Sequence, residues 1–174
     1  MAVAGIIAAA VGVMLLIVVG YVVVGATITT AETVTSAQKD VTLQNEIRLG
    51  TAFNITDPQK SISNITSIVS ITANISNTGN EIISDFRHMD VIVYDSNSIN
   101  YQICTYNTSG SLGDKQWTAD FGTGYDLNTN KYWDSGETLK VTAKTVIPST
   151  GNNVYFQFAL PNGIWRSNEF RASE

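Results

Sequence analysis

No charged residue precedes Glu32, although the chain of 174 residues has 10 basic and 15 acidic side chains. That gap excludes a simple cytosolic globule. Cysteine is almost missing too. Cys104 stands alone, so no intramolecular disulfide can brace the fold. Core packing must hold it instead, and about 140 residues suffice for that. Between Ile103 and Tyr106 in a strand-like run, Cys104 reads as a small buried hydrophobe without a base beside it. Basic charge is scarce: the net charge is -5, and no basic arm or phosphate cradle is present. A nucleic-acid partner is therefore not expected. Histidine is limited to His88, in Arg87-His88-Met89-Asp90, which reads as a surface or hydrogen-bonded group. No serine-centred elbow, glycine-rich phosphate loop or carboxylate cluster appears, so catalysis is not expected.

What is present falls into two materials. Met1 to Ile28 contain no charge, proline, asparagine or glutamine. As a helix this run spans about 42 Å, more than the roughly 30 Å of a bilayer core. It lacks the basic start of a secretory signal and is about twice as long in its apolar part. Small residues recur at Ala4, Ala8 and Gly12, with Gly5 and Ala9 on the next stripe. Such ladders let helix backbones approach closely. Beyond Ile28, apolar groups continue at Ala31, Val34, Ala37, Val41 and Ile47, with Glu32, Lys39, Asp40, Glu46 and Arg48 between them. This 3-4 spacing extends the helix. The β-branched run from Thr27 to Thr35 argues against it, and Gly50 is a natural stop. The expectation is one helix over residues 2 to about 48.

From residue 49 onward the period changes to two. Val69-Ile71-Ala73-Ile75, Met89-Val91-Val93, Tyr101-Ile103-Thr105, Leu139-Val141-Ala143 and Val154-Phe156-Phe158-Leu160 alternate with mostly polar neighbours. Ile164 to Phe170 reads as a last strand, anchored through Trp165 and Phe170. Turn signals such as Asn77-Thr78-Gly79-Asn80 and Pro161-Asn162-Gly163 separate the runs. Six or seven short strands predict an antiparallel, immunoglobulin-like β-sandwich. The fold class is then α+β, with residues 1–48 as the hydrophobic helix and 49–174 as the outer domain. The aromatics Trp117, Phe121, Tyr125, Tyr132, Trp133 and Trp165 are expected under long loops or between subunits.

Two motifs carry chemistry. Four N-x-[ST] sequons start at Asn54, Asn64, Asn74 and Asn107, and in an exported body they are acceptors for N-linked glycans. The run Asp126-Leu-Asn128-Thr-Asn130-Lys-Tyr132-Trp-Asp134-Ser-Gly-Glu137 has the oxygen spacing of an EF-hand calcium loop: Asp126, Asn128, Asn130, the Tyr132 carbonyl, Asp134 and Glu137. It departs where Lys131 replaces the glycine of the sharp turn, and no helices flank it. The competing reading is a polar turn leading into the strand at Leu139.

With these residues in view, the chain resembles the archaeal type IV pilin superfamily, especially archaellins (archaeal flagellins). The resemblance rests on the uncharged start, its polar helical continuation, the stretch Ile71-Thr-Ala-Asn-Ile-Ser-Asn-Thr-Gly79 with Met89-Asp-Val-Ile-Val93, and the Asp134-Ser-Gly-Glu137 turn. Members are made with a short basic leader cut by a prepilin peptidase. None stands here, so Met1 is either the mature first residue or only the point at which this sequence begins. Bacterial type IV pilins carry Glu where this chain has Gly5. That difference fits archaellins and leaves helix registration to Ala4, Gly5, Ala8, Ala9 and Gly12.

The resemblance implies a subunit of a helical homopolymer. Its helices would bundle in a dry core, and its sandwiches, glycosylated, would tile the outside. Subunits would wait in the inner membrane and be added by an assembly ATPase and a membrane platform. The filament would be an archaellum for swimming. The alternatives are an adhesive archaeal pilus and a membrane-anchored accessory module whose sandwich contacts the surface layer.

Overall fold

The computed structural model describes residues 2–62, 68–95, 101–109, 111–121, 130–146 and 153–171. The chain divides into two compact units, Met1–Asn45 and Glu46–Glu174.

The first unit is one continuous helix. Helix α1 runs Ala2–Gly50, 49 residues or about 73 Å. Its described side chains before Gly50 are all exposed. By length and composition it is able to cross a membrane. The threonines that argue against a helix are accommodated by one repeated device. Thr27, Thr29, Thr30, Thr33, Thr35 and Thr42 each donate their hydroxyl to the carbonyl four residues back, at 2.8–3.1 Å. Each polar group is satisfied within the helix, and the threonine methyl is what remains outward. These six threonines thus present no unmet hydroxyl to lipid or to a packed neighbour.

The second unit carries the strands. They are β1 (Phe53–Ile62), β2 (Ile68–Asn77), β3 (Asp90–Asp95), β4 (Gln102–Tyr106), β5 (Gln116–Asp120), β6 (Thr138–Val146), β7 (Asn153–Ala159) and β8 (Trp165–Arg171), with a 3-10 turn at Phe86–His88. They form one eight-stranded sheet in the order β1-β2-β6-β5-β4-β3-β7-β8. Every pairing is antiparallel except β4 with β5, which joins the two halves in parallel through Thr105–Gln116 and Tyr106–Trp117. The sheet curls until its two ends approach, and Asn168 Nδ2 donates to the Ile55 carbonyl at 3.1 Å. The result lies between a sandwich and a barrel. β1 and β5 lie outside the alternating runs read from sequence.

The core sits between the halves. Ile71, Ala73 and Ile75 of β2 and Val141 and Ala143 of β6 face Val91, Val93, Phe156 and Phe158, all fully buried. Phe158 is its centre. It meets Phe53, Trp117 and Trp133 edge-on at 5.7, 5.7 and 6.2 Å between ring centres. Trp117 stands opposite Ala143 in register, where a small side chain leaves the indole room. Burying such a ring contributes on the order of 2–3 kcal/mol, so the body needs no cross-link. Cys104 is buried here as expected, and burial pushes its thiol up to about 11.

Candidate functional site

Four features are candidates for function, beginning with the helix surface. Ala4, Gly5, Ala8, Ala9 and Gly12 are all exposed, and a Cβ built on Gly5 or Gly12 meets nothing within 4 Å. A shallow groove further along is lined by Val23, Ala26, Thr27, Thr30, Ala31 and Val34. Positions 18 residues apart are about five full turns apart and share a face. Gly5 therefore aligns with Val23, Ala8 with Ala26, Ala9 with Thr27 and Gly12 with Thr30. The ladder and the groove are one low-relief stripe, which the back-bonded threonines continue past the last glycine. Sequence reasoning reads the helix's glycine and alanine positions, including Gly20 and Gly25; that the threonines join the stripe shows only once their hydroxyls are seen bonded to the helix's own carbonyls.

The sequons lie in different settings. Asn54 is exposed on β1. Asn74 is half-buried on β2, opposite Thr56 and Lys140. The side chain of Asn107 is held from both ends. Its Nδ2 donates to Gln116 Oε1 at 2.6 Å and to the Ser111 carbonyl at 3.1 Å. Its Oδ1 accepts from the Ser109 backbone N–H at 2.7 Å and the Ser109 hydroxyl at 2.6 Å. Asn64 lies outside the described residues.

In the candidate cation loop, Asp126 and Asn128 also lie outside the described residues. Lys131 has φ +61°, so the left-handed turn served by glycine in a calcium loop is made here by lysine. Asn130 Oδ1 accepts from the Tyr132 N–H, and its Nδ2 donates to Asp134 Oδ2, both at 2.8 Å. Glu137 is 1% exposed, and its Oε2 accepts from the Asp134 N–H at 2.9 Å. Gly136, at φ +83°, lets the chain double back so that the Glu137 N–H reaches the Asp134 carbonyl. Among the described residues, no three acidic, histidine or cysteine side chains gather as a metal group. The described half of the loop is a hydrogen-bonded turn that places Glu137 at the mouth of β6.

The fourth feature was not legible in sequence. The last turn of α1 belongs to the second unit and is clamped by a collar of turns. Carbonyls at a helix end lack intrahelical partners. Here Thr51 donates its hydroxyl to the Ile47 carbonyl at 2.6 Å and its N–H to Arg48. The Gly50 carbonyl accepts from the Asn80 N–H at 2.8 Å. Thr51 Oγ1 in turn accepts from Asn162 of the β7–β8 turn. Gly50 lies inside the helix, without a positive φ, so the stop is made by Thr51 and this collar.

Asn77, 1% exposed, is the hub of the collar. Its Nδ2 donates to the Glu81 and Trp133 carbonyls, and its Oδ1 accepts from the Gly79 N–H. Its backbone N–H and carbonyl bond Glu137 and Gly136. Gly79 packs so closely on Gly50 and Ala52 that a Cβ would collide with their backbone. The Asn-Thr-Gly and Asp-Ser-Gly-Glu turns, separate in sequence, are two halves of one joint.

The remaining aromatics divide. Trp117 and Trp133 are fully buried, and Phe121 packs edge-on against Phe86. Tyr132 and Trp165 are exposed, so Phe170 alone of the last-strand pair packs against the core. Tyr125 lies outside the described residues. His88 is exposed and sits 2.6 Å from Asp85.

Among solved structures, the chain is similar to the archaellum periplasmic stator protein FlaG from Sulfolobus acidocaldarius. Identity is 23% over 69% of this chain and 99% of that one, with a TM-score of 0.51. It is also similar to a chain of the archaellum periplasmic stator protein complex of FlaF and FlaG from the same organism: 24% identity, 68% of this chain, 87% of that one, TM-score 0.50. At these identities the likeness establishes the shared fold. Comparison with curated proteins gives no match. The family model for archaeal-type flagellin matches residues 2–170, which takes in α1, β1 to β7 and β8 as far as Phe170. The chain therefore belongs to the archaeal-type flagellin family, and its role is that of a structural, archaellum-associated protein of the cell surface.

Proposed function

We propose that this chain is a filament subunit of an archaellum, built as a helical homopolymer and serving swimming motility. One observation carries the reading: the apolar surface of α1 is uncovered from Val3 to Leu49. A single-pass anchor needs about 20 apolar residues. Val34, Val41, Leu43 and Ile47 remain exposed well beyond such a span, among charged residues. Copies of the same helix, packed along the low-relief stripe, cover both the apolar start and this later stripe. Lipid covers only the first. The back-bonded threonines suit a subunit that is stored in the inner membrane and then transferred into a protein core, since neither setting leaves their hydroxyls unmet. A prepilin peptidase, an assembly ATPase and a membrane platform are the partners this reading requires.

The same reading gives the outer domain N-linked glycans, at Asn54 first, where the side chain is exposed on a strand. Intact mass spectrometry of native protein should exceed the polypeptide mass by whole sugar units.

A second reading is favoured by the fold shared with FlaG: a membrane-anchored module that contacts other archaellum components or the surface layer. An adhesive pilus is a third. Electron microscopy of the native surface fraction separates them. Long filaments of uniform width, dominated by this chain, support the subunit reading, and a swimming assay of the deletion strain then decides between archaellum and pilus. Discrete particles in detergent, with no filaments, overturn it.

A further inference from the structure

Asn162-Gly163 is the one Asn-Gly pair in the chain. In such a pair no side chain stands between the glycine's amide nitrogen and the asparagine's Cγ. Attack there forms a five-membered imide. The N–Cγ bond forms as the Cγ–Nδ2 bond breaks, and the displaced N–H proton leaves on ammonia. Water then opens the imide to aspartate or isoaspartate, so an amide becomes a carboxylate with water as the only co-reactant. The structure ties down both reacting groups. The Gly163 N–H donates to the Leu160 carbonyl at 3.0 Å, closing the β7–β8 turn. Asn162 Oδ1 accepts from the Ile164 N–H at 3.2 Å, and its Nδ2 donates to Thr51 Oγ1 at 2.9 Å. Gly163, at φ +81°, is exposed, so water reaches the turn, whereas Thr51 is buried.

We propose that Asn162 is a latent deamidation site, held unreactive by the collar, so that reaction there marks chains whose collar has opened. To react, the side chain must swing its Cγ onto the Gly163 nitrogen, and the glycine must give up its proton. Three hydrogen bonds oppose this: two fix the amide group and one retains the proton. The rate is then set by how often the turn opens. The product does not restore the joint. A carboxylate has no proton to give Thr51 Oγ1. The single Thr51 hydroxyl proton already serves the Ile47 carbonyl at 2.6 Å. After reaction that proton serves either the new carboxylate or the helix end, and the other goes without. Isoaspartate also adds a backbone carbon to a turn that the Leu160 N–H closes onto the Ile164 carbonyl. The chemistry is the same in a filament subunit and in an anchored module.

The test incubates the full chain in detergent at mildly alkaline pH, once folded and once in denaturant. Fragmentation mass spectrometry of its peptides follows residue 162. The denatured chain should convert at Asn162, and the folded chain should convert roughly tenfold or more slowly. No conversion in denaturant, or equal rates in the two states, overturns the proposal. Thr51→Val removes the tie and should speed conversion of the folded chain about fivefold, whereas Thr51→Ser, which keeps the hydroxyl, should match the unaltered chain. A folded Thr51→Val that reacts at the unaltered rate also overturns it. The comparison of folded and denatured chains needs no variant, so it decides the matter even where Thr51→Val does not fold. Asn162→Asp, which installs the product, should melt several degrees below the unaltered chain. An unchanged melt overturns the claim that the joint is not restored.

Discussion

Asn77 donates its side-chain amide to the Trp133 carbonyl at 3.0 Å, tying the turn after β2 to the turn before β6 across 56 residues of sequence. The same side chain reaches the Glu81 carbonyl and the Gly79 N–H. Asn77→Ala therefore removes three hydrogen bonds at once; the Gly79 N–H keeps the Ala52 carbonyl and the Trp133 carbonyl keeps the Ile83 N–H, while the Glu81 carbonyl loses its side-chain donor. A loss of about 2–4 kcal/mol is expected, enough to lower the melting temperature by roughly 10 °C. Thermal unfolding followed by far-UV circular dichroism reads it, and an unchanged melt would show that the hub is dispensable.

Gly79→Ala should be comparably damaging for a different reason. The added methyl collides with backbone atoms of Gly50 and Ala52, which no rotamer change relieves. A loss of about 2–4 kcal/mol follows from displaced backbone and weakened hydrogen bonds. Gly113→Ala is the control, since its methyl meets only the Gln116 side chain at ordinary contact distance. Equal melting of the two variants would refute the close-packing argument.

Cys104 should ignore thiol reagents at pH 8. Burial first, then the Asp114 charge, raises its thiol to about 11, so the thiolate is scarce. The sign for stability follows. The folded pKa lies above the ordinary value of 9.0, so the contribution is complete below pH 9 and is lost as pH rises toward 11. A chromogenic disulfide should label the denatured chain fully and the native chain negligibly over the same interval. Rapid native labelling would contradict the burial.

Ala8→Leu places a large side chain in the middle of the low-relief stripe. Filament yield should drop severely while the melting temperature of the sheet is unaffected. The comparison is with Leu15→Ala, which narrows rather than widens the helix. Normal filaments from Ala8→Leu would remove the stripe from the assembly surface.

If the loop from Asp126 to Glu137 holds calcium, a chelator should lower the melting temperature by several degrees, and added Ca²⁺ should restore it. No shift, together with elemental analysis showing no metal, would leave the described turn as the loop's whole purpose.

Much of this architecture is legible in the amino-acid order, and the failures are instructive. The helix is anticipated over 2 to about 48 and observed over Ala2–Gly50. The strands with clean alternation, such as Val69 to Ile75 and Val154 to Phe158, stand where the period of two puts them. β1 was missed because its pattern is broken: Phe53 and Ile55 alternate, then a register shift between Thr56 and Gln59 interrupts the pairing around Pro58. β5 was missed because five residues carry one fully buried side chain, Trp117, too little for any periodicity. The collar was invisible for a deeper reason. A buried asparagine and a solvent-facing one look alike in sequence, and only the fold reveals that Asn77 faces Trp133.

The meeting of β1 and β8 through Asn168 and Ile55 matters most where this protein is concentrated. On the filament reading proposed above, many copies stand side by side, and open strand edges on the outer domain would let any neighbour's strand add there. Curling the sheet until its first and last strands touch, with Asn168 bonded to the Ile55 carbonyl, sets part of each edge against the other. Under that reading ordered growth and runaway β-association are set on separate elements: copies stack by their helices, while the first and last strands of each sheet turn toward one another rather than toward a neighbour.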